Sequence, residues 1–290
     1  MKFLAFLFTF FQFTTVVAQS TKTPIYGHRG CRGNFPENSI IAFQEALKMG
    51  ADGIELDIVV NAERQLVISH EPYFKKEFCL TPDKKAIENE NEFNIYKMTQ
   101  SEISEFDCGS IGSTKFPYQK KMPAYKPLLS DFFKEVDLKD KVLLFEIKSE
   151  NKEYGISQPF PKEFVDLILA ETKDFKMQEN LIFMCFDPEI LEELHKRGVP
   201  NKMIYLTYKP KSAKQLFKEI SFKPYALGMF HATAPTAVIN YAHSQKVKVF
   251  TWTVNEVKTG KKLIKRGVDG LITDYPKLMD ESKKSTFDYE

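Results

Sequence analysis

Short apolar runs of β-forming residues alternate along the chain with longer segments in which apolar residues recur every three to four positions. The runs are PIYGH (24–28), GIELDIVV (53–60), KVLLFEIK (141–148), LIFMCFD (181–187), KMIYLTY (202–208), YALGMF (225–230), VKVFTWTV (247–254) and GLITD (270–274). Strands separated in this way by helical periodicity predict an α/β fold, a (β/α)8 barrel. QLVISH (65–70) follows the second run so closely that it either pairs as a hairpin arm or extends that strand's connection. Helices are expected over Glu37 to Met49, Leu129 to Val136, Pro161 to Phe175, Pro188 to Arg197, Ser212 to Ile220, Ala234 to Gln245 and Glu256 to Arg266. Pro161 and Pro188 suit a first helical turn, Asp187 suits an N-cap, and Gly50, Gly198 and Gly267 stand where a left-handed residue ends a helix. The segment 71–126, from Glu71 to Lys126, is polar, charged and weakly periodic, and reads as a small insertion after the second strand region. A connection of that length inside a barrel is a lid, a binding loop or a small subdomain. Because it leaves directly after His70, it is expected to cover the pocket and choose among substrates.

With 43% hydrophobic and 28% charged residues the chain is too apolar for disorder and builds a large core. Its 41 Lys and Arg against 39 Asp and Glu leave a net charge of +2, so no field holds a polyanion, and nucleic acid is not the expected partner. Residues 1–18 read as a secretory signal peptide. Lys2 precedes the apolar run Phe3 to Phe11, and small residues gather at Val16-Val17-Ala18. Gln12, Thr14 and Thr15 cut the run short of the roughly 20 apolar residues a membrane span needs. Residues 19–290 are then an exported barrel domain, periplasmic or extracellular, with no stable membrane span after cleavage. Export permits disulfides, and two bridges among Cys31, Cys79, Cys108 and Cys185 allow three pairings. Cys185, inside LIFMCFD, reads as a buried small hydrophobe.

The chemistry sits at strand ends. In GIELDIVV, Glu55 and Asp57 are two apart and share one side of a strand, while Ile54, Leu56 and Ile58 take the other. The same spacing in LLFEIKS puts Glu146 and Lys148 together. Charge at one strand end is commonly solvated or paired with Lys and Arg, but charge within two β-runs is harder to treat as surface decoration. Three carboxylates at one barrel mouth repel one another unless a cation holds them, and an all-oxygen set selects a hard divalent ion, Ca²⁺ or Mg²⁺. Lys148 adds a second positive centre suited to an anionic substrate. His28 and His70 each end a run and can carry protons near pH 7. His195, His231 and His243 read as structural. Arg29 either binds a phosphate or pairs with Glu37.

HRG at His28 to Gly30, PENS at Pro36 to Ser39, GIELDIVV, the ISH ending at His70, FEIK around Glu146, WTVN at Trp252 to Asn255, and GVDGLITDYP at Gly267 to Pro276 occur in this order. Together they resemble the glycerophosphodiester phosphodiesterase family. The resemblance implies a TIM barrel that hydrolyses glycerophosphodiesters to sn-glycerol 3-phosphate and an alcohol. It implies a metal on Glu55, Asp57 and Glu146, acid/base roles for His28 and His70, and phosphate contacts from Arg29 and Lys148. Trp252 is either a core aromatic or an indole face covering the glycerol backbone. Many members follow the second histidine with Asp, whereas Glu71 stands here, which bears on metal or substrate preference. Two other readings are a phospholipase of the same fold acting on intact lipid, which would need an apolar rim, and a catalytically silent binding barrel.

Overall fold

The computed structural model describes residues 23–174 and 178–283. The expected leader at 1–18 lies outside the described residues, as does Phe175 at the expected end of one helix. Among the described residues nine strands form: β1 (Ile25–Gly27), β2 (Gly53–Val60), β3 (Leu66–Ile68), β4 (Val142–Ile147), β5 (Leu181–Cys185), β6 (Lys202–Thr207), β7 (Ala226–Phe230), β8 (Lys248–Trp252) and β9 (Gly270–Thr273). All except β3 pair in parallel. β1 bonds to both β2 and β9, which closes an eight-stranded barrel. β3 runs antiparallel to β2, with Ile58 opposite Ile68, so QLVISH is a hairpin arm outside the closed sheet.

Helices pack around the barrel, except α2, which lies in the insertion: α1 (Ile40–Lys48), α2 (Gln100–Ser104), α3 (Leu129–Glu135), α4 (Pro161–Thr172), α5 (Pro188–Lys196), α6 (Ala213–Leu216), α7 (Thr236–Ser244), α8 (Val257–Lys265) and α9 (Pro276–Met279). Ser39 caps α1 and Asp187 caps α5, each accepting a backbone N–H through its side chain. α6 is shorter than the expected Ser212 to Ile220. After Phe217 the backbone bonds tighten to three-residue spacing, and Glu219 is drawn off to Tyr205 and Lys211. Among the described residues no helix is long and apolar enough to cross a membrane.

Period-two alternation gives each barrel strand one face for the helices and one for the interior. Ile54, Leu56 and Ile58 join the layer beneath the helices. The interior is filled by Tyr26, Leu144, Ile182, Met184, Ile204, Leu206, Ala226, Phe250 and Ile272. Glu146 shares a face with Leu144, and Glu55 and Asp57 take the face of β2 opposite its isoleucines. The carboxylates therefore cap an apolar interior at the end where the strands finish.

The insertion is a small subdomain with its own core. Phe74 stacks on Phe106 with ring centroids 3.9 Å apart, and Cys79 is bridged to Cys108. Cys31 and Cys185 are buried free thiols, so one bridge forms rather than two. They follow β1 and end β5, strands that are not neighbours in the sheet. Burial pushes the Cys31 thiol up to about 12, which keeps it unreactive. The far part of the insertion packs on the loop between β1 and α1. Gln119 donates its amide to the carbonyls of Arg32 and Phe35, and Lys120 N donates to Asn34 O.

Candidate active site

Strand register brings the carboxylates together. Asp57 on β2 is the direct cross-strand partner of Glu146 on β4, and Glu55 lies two residues back on the same face. One oxygen from each of Glu55, Asp57 and Glu146 falls within 4.8 Å of the others, and all three residues are buried. Asn38, in the turn before α1, donates Nδ2 to Asp57 Oδ2 at 2.9 Å. Arg29 N donates to Glu55 Oε2 at 2.7 Å. That contact needs the tight turn of HRG. Gly30 sits at φ 83°, and a Cβ there would lie 2.6 Å from the Ala42 carbonyl carbon.

Two cations, buried Arg29 and half-buried Lys148, face the triad. Lys148 Nζ lies 2.5 Å from Glu146 Oε1 and 3.7 Å from Asp57 Oδ1. Arg29 Nη1 donates to Glu37 Oε1 at 2.7 Å while its Nε lies 3.4 Å from Asp57 Oδ2. The pairing with Glu37 is thus present, and Arg29 still lines the cavity. Even so, Glu55 Oε1 and Asp57 Oδ1 are buried without a hydrogen-bond partner. Burial first, then Asp57 and Glu146, push the Glu55 carboxyl well above its ordinary range. Burial works the same way on Asp57, but His70, Arg29, Lys148 and Asn38 outweigh it and hold that carboxyl ionised. The donor set is all oxygen, carries excess negative charge and has orphaned lone pairs, so the residues present fit a hard divalent cation.

Each histidine at the mouth is held by a carboxylate. His28, just past β1, places Nδ1 2.7 Å from Asp274 Oδ1, just past the neighbouring β9. Asp274 also accepts from Arg32 Nε at 2.6 Å and from Asn255 Nδ2 at 2.6 Å. Burial opposes the charge on Asp274, yet His28 and Arg32 hold it well below the carboxylate range. Burial and then Arg32 push His28 down to about 4 against the pull of Asp274. The contact is therefore a neutral imidazole N–H donating to a carboxylate, which leaves Nε2 bare, 4.0 Å from Glu55 Oε2. His70 Nδ1 lies 2.8 Å from Glu71 Oε1. Glu71 is held ionised at about 2, because the His70 contact, with help from Arg29 and Lys126, outweighs burial.

His28, His70, Arg29, Lys148, Glu55 and Glu146 line a cavity of about 880 Å³ with Trp252, Phe186 and Tyr208, while Asp57 and Asp274 are outside its lining. Trp252 meets both sequence readings. It packs on the interior core, donates Nε1 to Gly228 O at 3.1 Å, and lines the cavity beside Phe186. Of the insertion only Glu71 and Pro72 reach the cavity; the walls come instead from residues 148–158 and 205–211. The expectation that the insertion covers the pocket fails because its apolar core packs on Val59 and Val67 of the β2–β3 hairpin and its far part on the β1–α1 loop. His195 stacks on Phe222, His243 bonds Asp269 and His231 lies against Phe230, and none of the three lines the cavity. Asp274, Asn38, Asn255 and Arg32 are functional neighbours without an individual role in the sequence reading. Three of them lie inside the quoted motifs, each polar and just past a strand or before a helix.

A (β/α)8 barrel with a carboxylate triad, two carboxylate-held histidines and two cations at its mouth has the equipment of a phosphoric diester hydrolase. Residues 28–278 match the glycerophosphoryl diester phosphodiesterase family, and the chain belongs to that family. It is 29% identical over 259 residues to the glycerophosphodiester phosphodiesterase of Caldanaerobacter subterraneus subsp. tengcongensis, covering 89% of this chain and 96% of that one. A crystal structure of glycerophosphodiester phosphodiesterase from Thermotoga maritima superposes with a TM-score of 0.64 at 26% identity, over 89% of this chain and 97% of that one. An Oleispira antarctica phosphodiesterase in complex with the product sn-glycerol-3-phosphate shares the fold, with a TM-score of 0.73 at 20% identity over 90% and 97% of the two chains.

Proposed function

We propose that the chain hydrolyses glycerophosphodiesters to sn-glycerol 3-phosphate and a free alcohol, recovering glycerol phosphate from deacylated phospholipids, with Ca²⁺ or Mg²⁺ held by Glu55, Asp57 and Glu146. The observation that carries this reading is the pair of orphaned carboxylate oxygens, Glu55 Oε1 and Asp57 Oδ1, buried beside two cations and two oriented histidines. Bound there, a divalent ion supplies positive charge to a phosphoryl oxygen. Arg29 and Lys148 bind the remaining anionic oxygens and hold phosphorus in line. His28, neutral with Nε2 bare, takes the proton from the attacking oxygen as its bond to phosphorus forms. His70, when it carries a second proton on Nε2, delivers that proton to the alcohol oxygen as that bond breaks, while its Nδ1–H stays on Glu71. The Trp252 indole covers the glycerol backbone. Residues 1–18 direct export, a reading supported by the disulfide in the insertion, since such bridges persist in oxidising compartments.

A second reading, action on a diester that retains an acyl chain, draws on Ile156, Phe160 and Tyr208. These are 52%, 60% and 59% exposed on the loops that wall the cavity. Purified chain supplied with glycerophosphocholine, glycerophosphoethanolamine, glycerophosphoinositol and lysophosphatidylcholine decides between them. The first reading expects glycerol 3-phosphate from the deacylated diesters. Turnover of the acylated one alone favours the second, and glycerol 3-phosphate from none of the deacylated three overturns the first.

Cation binding should also be coupled to protons. Glu55 in the metal-free chain holds its proton above the ordinary carboxylate range and must release it to bind a cation. Affinity therefore falls as pH drops through the raised Glu55 range. Titration calorimetry in buffers of different ionisation enthalpy should show protons expelled, and a buffer-independent heat would contradict this.

A further inference from the structure

Lys126 is buried where a lysine has little reason to be. The residue is 7% exposed, its ammonium lies over the Phe74 ring 5.3 Å from the centroid, and Nζ donates to Ser69 Oγ at 2.8 Å. An apolar side chain of similar length would be accommodated there at lower cost, because a buried ammonium with few partners is expensive. Its position follows from how the insertion returns. Ile68 N donates to Pro127 O at 2.8 Å and Val67 bridges Leu128, so residues 126–128 run back alongside β3. The point where the chain re-enters the barrel is thereby pinned beside the point where it leaves, at Ser69, His70 and Glu71.

A relay connects the lysine to the histidine. Ser69, fully buried, accepts from Lys126 and donates its own hydroxyl proton to the Glu71 carbonyl at 2.6 Å. The Lys126 donation fixes which way that hydroxyl points, and the hydroxyl fixes the Glu71 backbone. The Glu71 carboxylate in turn meets His70 Nδ1. Lys126 also lies in the field of Glu71, Glu37 and Asp57, opposed by Arg29, so its charge favours the ionised form of Glu71. An ionised Glu71 can only accept, which requires the proton of a neutral His70 to sit on Nδ1.

We propose that Lys126 is a positioning residue for His70, acting through Ser69 and Glu71 to keep Nδ1 protonated and Nε2 turned to the substrate. This rests on the reading of His70 as a proton carrier. A merely structural Lys126, balancing nearby carboxylates, would leave the turnover of folded protein unchanged.

The test is Lys126→Met and Lys126→Arg in the wild-type and Glu71→Gln backgrounds, with folding checked by circular dichroism and the His70 tautomer read by ¹⁵N-histidine NMR. Lys126→Met is expected to fold with an unchanged or raised Tm and to lose kcat about 10-fold, the scale for losing an outer partner of a functional histidine, with KM little changed. Lys126→Arg should restore most of the rate. In the Glu71→Gln background the same change should cost almost nothing more, because the relay is already broken. Wild-type His70 should be the Nδ1–H tautomer, and Lys126→Met should mix the two. Normal kcat in folded Lys126→Met, an equal loss in both backgrounds, or a wild-type Nε2–H tautomer overturns the proposal. A wild type inactive on every diester would strike the proposed function, while the tautomer in wild type and in Lys126→Met or Lys126→Arg would still decide the role of Lys126.

Discussion

Replacing His28 or His70 with alanine lowers kcat about 10²- to 10⁴-fold, the range expected for a positioned proton carrier, and leaves KM nearly unchanged. Proton transfer is made only in the transition state, so losing it takes rate and spares ground-state binding. Both side chains line the cavity and each has its Nδ1 on a carboxylate, Asp274 for His28 and Glu71 for His70. The pair differs in setting. The His28 side chain is 10% exposed and pushed down to about 4, whereas the His70 side chain is 28% exposed. The double variant should lose little more than the worse single one, since both act on one displacement. Steady-state kinetics on folded variants checks this, and near-normal kcat in either single variant would return that histidine to a structural role.

The carboxylate variants separate binding from folding. Glu55→Gln and Asp57→Asn should each weaken divalent-cation binding by about 10²-fold or more, because ligand charge count tunes such sites over decades in Kd. Their effects on the metal-free fold should diverge. Glu55 is already pushed toward its neutral form by burial and its two acidic neighbours, so glutamine copies the state the metal-free chain adopts, and stability holds or rises. Asp57 is held ionised by His70, Arg29, Lys148 and Asn38, so asparagine leaves Arg29 and Lys148 short of a partner, and stability falls. Urea unfolding in chelator, with calorimetric titration of Ca²⁺ and Mg²⁺, reads both quantities. Equal stability losses in the two variants would contradict the assigned charge states.

Much of this site was legible because strands impose a period of two. Glu55 and Asp57 had to share a face, as did Glu146 and Lys148, and the apolar residues between them fixed which face met the helices. The register that sets Asp57 against Glu146 was not legible, since it arises from barrel closure. Nor was the Asp274 contact with His28, which joins residues far apart in sequence because β1 and β9 are neighbours. The insertion misled for a physical reason. Its start beside His70 is real, but its core of Phe74, Phe106 and the Cys79–Cys108 bridge seats on Val59 and Val67 of the β2–β3 hairpin, and its far part on the β1–α1 loop. Irregularly spaced aromatics in a charged segment gave no periodic signal of that core. The same fold-back carries Lys126 to Ser69, a contact no local pattern announces.

The most direct measurement is hydrolysis of glycerophosphocholine by one sample of purified chain, assayed as isolated, after exhaustive chelation, and after return of Ca²⁺ or Mg²⁺, with metal content determined at each stage. The triad with its orphaned oxygens predicts that glycerol 3-phosphate release disappears on chelation and returns in proportion to about one bound ion per chain. Full activity in chelated protein shown to be free of metal would contradict the account.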